Sequence, residues 1–247
     1  MSVSSRDLDD YARQFARLPF EPIQSGYRRR LVLEQIARLQ PRRLLEVGCA
    51  EAPLFTDLQD IEVTVVEPIR PFVDNARRLA AGRPDCHVVE GRLEDVALAT
   101  EGFDMIIVGC LLHEVEDAQA LLASVRRLCS AGTTVHVNVP NARSLHRMLA
   151  VAMGLITRPE ELSATQRTMQ QHATYDPAAL EAEIARAGFE VVDRGSLFIK
   201  PFTHAQMQRL VDDGFLTPAM LEGLDRLALD LPALGSEIWC NARRRHA

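Results

Sequence analysis

From residue 41 onward, short apolar runs alternate with stretches in which apolar residues recur every three or four positions. The runs at 44–47, 63–66, 87–89, 103–108 and 133–139 predict strands, and the stretches from about Pro53, over 71–81 and over 118–128 predict helices. Runs as continuous as Phe103–Val108 suit strands covered on both faces. Strands separated by helices of this length predict right-handed crossovers and a mostly parallel sheet. Upstream, residues 6–40 read as helical, with Leu31, Leu33, Ile36 and Leu39 on one face and Pro41 as the stop. Beyond Pro140 the pattern predicts a helix over 143–156, a polar lid over 157–174 and a helix over 177–187 ending at Gly188. Segments 189–192 and 196–200 are strand-like, 204–230 reads as helical, and 237–241 as a last strand. No repeat or linker divides the chain, so residues 1–247 are expected to form one α/β domain with a helical cap over 1–40 and a helical insert before the last strand.

Composition narrows the class. Hydrophobic residues make up 47% and charged residues 25%, enough for a sizeable core. The net charge of -6 argues against bulk electrostatic binding to nucleic acid. Two basic runs, Arg28–Arg30 and Arg243–Arg245, are expected to be a solvated helix face and a charged tail. The N-terminus is polar and acidic, unlike a secretory signal, and no apolar run is long enough to span a membrane. The five cysteines are scattered and form no C-x-x-C pair, which leads to the expectation of a reduced, cytoplasmic protein.

Chemistry concentrates at the first predicted strand. Leu44–Val47 runs into a turn of small residues, Gly48-Cys49-Ala50-Glu51-Ala52, with Pro53 favouring a helix start. A ligand can approach a backbone of small residues closely, although a plain strand–turn–helix connection remains the alternative. Glu67 ends the second strand, 21 positions after Glu46, where an acid can accept hydrogen bonds from ribose hydroxyls. The spaced positions of a dinucleotide fingerprint hold Gly48, Ala50 and Pro53, which argues against a nicotinamide cofactor.

Residues 44–55 resemble the first motif of class I S-adenosylmethionine-dependent methyltransferases of the small-molecule type. Glu67-Pro68 is similar to the ribose-binding second motif, and 90–95 (EGRLED) to the adenine-binding third. The fourth strand with its trailing Leu111-Leu112-His113-Glu114, and Ala187-Gly188-Phe189, complete the likeness over about residues 41–195. The resemblance implies a Rossmann-like, seven-stranded, mostly parallel sheet and S-adenosylmethionine as cofactor. On it, Glu46, Gly48, Cys49, Ala50, Glu67, Pro68, Arg92, Leu93 and Cys110 would bind the cofactor, within a core over 41–140. Ala50 and Ala52 replace customary glycines, and Arg92 a customary aspartate.

Methyl transfer depends first on positioning, and a hydroxyl acceptor also benefits from a base. His113, Glu114 and His172 are the candidates, with Asn141 and Arg143 on the rim of an acceptor-side region over 141–247. His113-Glu114 belongs to no H-E-x-x-H pattern, so no zinc is expected. The expected activity is O-methylation of a small metabolite or sugar-containing acceptor, with neither nucleic acid nor membrane as partner. The rival readings are an inactive methyltransferase-like module acting through partners, and a nicotinamide-dependent dehydrogenase.

Overall fold

The computed structural model describes residues 7–98 and 102–245, so residue 6 of the expected N-terminal helix lies outside the described residues. Helix α1 (Leu8–Phe15) and helix α2 (Glu21–Leu39) replace one continuous helix. Leu18, before Pro19, leaves helical backbone, and Pro22 falls in the first turn of α2, where its missing N–H would have no intrahelical partner. Phe20 turns the corner in the left-handed region (φ 63), fully buried with its ring 5.8 Å from that of Phe198. That burial offsets the strain of the turn.

Strand β1 (Arg43–Val47) leads into a single 3-10 turn, Leu54–Asp57, then β2 (Glu62–Glu67). The expected helix from Pro53 is thus only this turn: Pro53 keeps extended ψ (140) and stands outside it. Helix α3 (Arg70–Leu79), β3 (Cys86–Glu90), β4 (Phe103–Gly109), α4 (Ala118–Leu128) and β5 (Cys129–Pro140) follow as expected, within a few residues. Next come α5 (Leu145–Ala152), α6 (Ala164–Thr168), α7 (Pro177–Arg186) and β6 (Phe189–Leu197), in which the two expected strand pieces are one strand with an irregularity near Val191 and Asp193. The expected helix over 204–230 is two, α8 (His204–Asp212) and α9 (Pro218–Asp230). Gly214 at φ 72 ends the first, and the Thr217 side chain caps the second by accepting the Met220 N–H. Strand β7 (Glu237–Arg244) closes the chain.

The sheet order is β3-β2-β1-β4-β5-β7-β6, parallel from β3 to β5, with β7 antiparallel to both neighbours. One face buries Leu45, Val47, Ile106 and Val108 against Leu121, Val125 and Ile184 of α4 and α7. The other buries Leu44, Val63, Met105 and Ile107 against Val32 and Ile36 of α2 and Ala76 of α3. Coverage of both faces explains the uninterrupted apolar runs.

The Arg28–Arg30 run is not a solvated face. Successive residues on a helix point about 100° apart, so each arginine reaches a different neighbour. Arg28 pairs with Glu21 and Glu237, Arg29 with Asp57 and the Ala52 and Pro53 carbonyls, and Arg30 with Glu222 and Asp225 of α9. Arg243–Arg245 are exposed.

Candidate active site

The strand order reverses between β1 and β4, and in such sheets ligands bind beyond the carboxyl ends of the strands at that switch point. Glu46 is 5% exposed and accepts the Leu54 N–H at 2.9 Å, which ties the loop after β1 to its own strand. Burial pushes its carboxyl up to about 8, so it stands neutral at pH 7. Gly48 takes φ 77, and its absent side chain keeps the turn open towards Leu111. Ala50 also takes positive φ, at 46, so the position does demand the backbone that a glycine adopts most easily.

Glu67 caps this loop. Its Oε2 accepts the Cys49 N–H at 2.9 Å and the Ala50 N–H at 3.2 Å, and its Oε1 accepts that of Ile69 at 2.9 Å. Pro68 has no N–H, so the next available donor is Ile69. Burial raises the Glu67 pKa, against the pull of these three donors. Oε1 carries one protein bond and keeps a lone pair, which fits it to accept a hydrogen bond from a ribose hydroxyl. Beyond β3, Arg92 is exposed and its carbonyl accepts the Asp95 and Val96 N–H groups. Leu93 is only 3% exposed, its side chain spent in the core.

The turn after β4 divides the carboxyl edge into two halves. On the β1–β2 side, Tyr11 of α1 donates to Glu114 Oε1 at 3.1 Å, and His113 Nε2 lies 3.8 Å from the same oxygen. Tyr11 also packs with Ile69, Phe72, Met169 and Ala50, so α1 lies directly over the Gly48–Ala50 loop. His113 is 4% exposed, and its carbonyl accepts the His172 N–H at 2.9 Å, which brings the lid segment to this turn while the His172 ring stays exposed.

On the β5–β7 side, Cys110, at φ 48, has its Sγ 3.5 Å from Glu237 Oε2 and 3.2 Å from Asn138 Nδ2. Glu237 is fully buried and held by Arg28, Gln24 and Asn138. Burial opposes its charge, but Arg28 and the hydrogen bonds keep its pKa below the ordinary value. Gln24 in turn accepts from Lys200 Nζ at 3.1 Å, and Lys200 lies 3.1 Å from His204 Nδ1. His204 Nε2 is 3.6 Å from Glu21 Oε2. For Glu21, burial acts upward, but Arg28 and His204 outweigh it and hold the pKa at about 2.

The candidates named from the sequence lie on or beside the loops of this edge, Asn141 and Arg143 directly after the carboxyl end of β5. Asn141 is 1% exposed and serves as a strut rather than a rim residue: its side chain donates to the Ala233 and Gly235 carbonyls. Arg143 is exposed, beside Glu160. Sequence reasoning missed Tyr11, Glu21, Gln24, Asn138, Lys200, His204 and Glu237, whose partners lie up to 213 positions away. One of them did carry a signal: Lys200 is the only lysine among 28 basic residues.

Residues 45–137 match the methyltransferase domain family model. No curated protein matches the chain. Among solved structures, the methyltransferase in the Haloferax volcanii complex with its activator is similar, with 14% identity and a TM-score of 0.62 over 98% of this chain and 100% of that one. A Mesorhizobium loti S-adenosylmethionine-dependent methyltransferase aligns at 20% identity and TM-score 0.57 over 82% of this chain and 90% of that one. The mitomycin 7-O-methyltransferase MmcR aligns at 12% and 0.54, with 96% of this chain covering 54% of that protein's length. Both O- and N-methyltransferases occur among the similar structures. Residues 45–137 thus match a methyltransferase domain, and the strand order and the similar structures give the chain the fold of S-adenosylmethionine-dependent methyltransferases.

Proposed function

We propose that the chain transfers the methyl group of S-adenosylmethionine to an oxygen of a small metabolite or sugar-containing acceptor. The observation that carries this reading is the division of the carboxyl edge. The Gly48–Ala50 loop and Glu67 lie under α1 on one side, and a buried group of hydrogen-bonding side chains, Asn138, Lys200 and Glu237, lies on the other. A polar wall suits a hydroxylated acceptor, since unpaired polar groups against an apolar ligand carry a penalty. In this reading Glu67 holds the ribose hydroxyls, and the backbone of Gly48, Cys49 and Ala50 approaches the cofactor with Glu46 beneath it. Pro68, Arg92 and Leu93 flank the adenine. Cys110, His113 and Glu114 bound the reacting centre, with His172 on the covering segment. The cofactor supplies an electrophilic methyl, so the protein's task is to align the acceptor oxygen and remove its proton.

The inactive-module reading draws on two observations: the strained Ala50 in place of glycine, and a Glu67 carboxylate already occupied by three backbone donors. Incubation with methyl-labelled S-adenosylmethionine and a panel of phenols, sugars and amines separates the readings. Label in hydroxyl compounds is the expected result. Label confined to amines contradicts the oxygen assignment, and no transfer together with no binding of S-adenosylhomocysteine favours the inactive module.

A further inference from the structure

Lys200 stands apart from every other basic residue in the chain. The sequence uses arginine 27 times and lysine once. Arginine stays charged in proteins, whereas a buried lysine loses its proton readily. The chain therefore has its single lysine amine at one position. That position is 2% exposed, just past the end of β6, at the same carboxyl edge as the turn after β4.

The surroundings are those of an amine with a hydrogen-bonding direction left over. Among the described residues, Lys200 Nζ meets Gln24 Oε1 and the His204 ring, and no carboxylate lies within ion-pair distance of it. Those two partners use two of the three N–H bonds of an ammonium. Glu21 and Glu237 are nearby but turned to Arg28, which leaves Lys200 without a dedicated counter-charge. Arg28 on α2 and His146 on α5 complete the charged and titratable groups around it. Burial lowers the Lys200 amine to about 8, with Glu21 and Glu237 pulling the other way. His146 is kept neutral by burial and by Lys200 and His204. His204 keeps about a third of its side chain exposed, which connects the cluster to solvent. Asn138 Oδ1, buried beside Cys110 and Glu237, has no donor among the described residues and offers a second polar contact on the same wall.

We propose that Lys200, oriented by Gln24 and His204, meets the hydroxyl of the acceptor and takes its proton during methyl transfer. This rests on the oxygen-methylation reading above. The acceptor O–H bond breaks and its proton goes to the neutral amine of Lys200. The freed oxygen pair forms the bond to the methyl carbon as the carbon–sulfur bond breaks, its electrons remaining on sulfur. The ammonium then releases the proton to solvent past the exposed edge of His204. The acceptor class follows: a small molecule with an acidic hydroxyl, a phenol before an alcohol, because an amine of this basicity deprotonates a phenol far more readily.

With one lysine, the full chain grown on ¹³Cε-lysine gives a single lysine resonance. Titrated in the S-adenosylhomocysteine complex, it is expected to show a midpoint near 8, and 4-nitrophenol is expected to shift it. A midpoint above 10, as for a solvated lysine, or no response to 4-nitrophenol, overturns the assignment. Neither reading requires turnover. With an acceptor from the labelled panel, Lys200→Arg is expected to lower transfer at least 100-fold while S-adenosylhomocysteine affinity stays within twofold. Full activity in that variant also overturns it. Absence of S-adenosylhomocysteine binding by the native chain defeats the methyltransferase reading instead, and is measured separately.

Discussion

Ala50→Gly tests the most unusual feature of the loop after β1. The native backbone at Ala50 is left-handed, φ 46, where an L-residue with a β-carbon carries about 1–2 kcal/mol of strain. Glycine removes that strain. Against it, glycine adds flexibility to the unfolded chain worth about 0.4–1 kcal/mol. The half-buried methyl that packs near Tyr11 and Met169 gives up roughly 0.4 kcal/mol more, half of a fully buried methylene. The sum leaves Ala50→Gly between slightly destabilised and stabilised by about 1 kcal/mol. Ala52 supplies the control: it stands two residues on, exposed and without positive φ. There the same substitution has only the entropic penalty, about 0.4–1 kcal/mol. The two variants are therefore expected to differ by about 1 kcal/mol in urea denaturation, or roughly 2–4 °C in melting temperature for a chain of this size. Equal destabilisation of both variants would refute the claim that strain is stored at Ala50. A gain in S-adenosylhomocysteine affinity for Ala50→Gly alone is expected as well, since a glycine lets a ligand approach more closely.

Three further outcomes follow from the buried titratable groups. His136 is fully buried between Asn241, whose Oδ1 lies 2.8 Å from Nδ1, and the Trp239 ring, and burial lowers its pKa to about 4. Its folded pKa lies below the unfolded value, so stability is complete above about 6.5 and falls by roughly 3 kcal/mol as the pH drops to about 4. In His136→Gln, chemical denaturation across that window should show a shallower loss; an unchanged slope would remove His136 as the cause. Glu46 has the opposite sign: its folded pKa is raised, so its contribution is full below about 4.5 and is lost as pH rises through about 8. Glu46→Gln keeps an acceptor for the Leu54 N–H and should gain a few kcal/mol on native protein above pH 8, and no relative gain there would contradict a neutral buried carboxyl. With Lys200 as the base, His113→Ala should leave single-turnover rates at saturating cofactor within about tenfold of the native protein. A loss of turnover of about 10²–10⁴ at unchanged affinity would instead make His113 the base.

The central strands β1, β2 and β4 were legible because each is a short apolar run buried on both faces, a signal contained within five to seven residues. Phe103–Gly109 and the helix Ala118–Leu128 appear almost where the pattern puts them. The loop was legible in part: Gly48 marks the turn after β1 and Glu67 the end of β2, but the positive φ of Ala50 is a property of the folded turn, invisible in the residue type. The break before α2 was missed because Phe20 is fixed in its left-handed turn by Phe198, 178 positions away. Arg28 looked like surface charge for the same reason: its partner Glu237 lies 209 residues along the chain. The buried cluster around Glu237 and Lys200 joins α2, β5, β7 and the segment after β6, and no local pattern encodes such an assembly. Only the rarity of lysine pointed to it.

Isothermal titration calorimetry of the full chain with S-adenosylhomocysteine bears most directly on the assignment. The loop at Gly48–Ala50, capped by Glu67, predicts one site per chain with a dissociation constant in the micromolar range, about −8 kcal/mol. No heat at millimolar ligand, with no accompanying thermal shift, would contradict it.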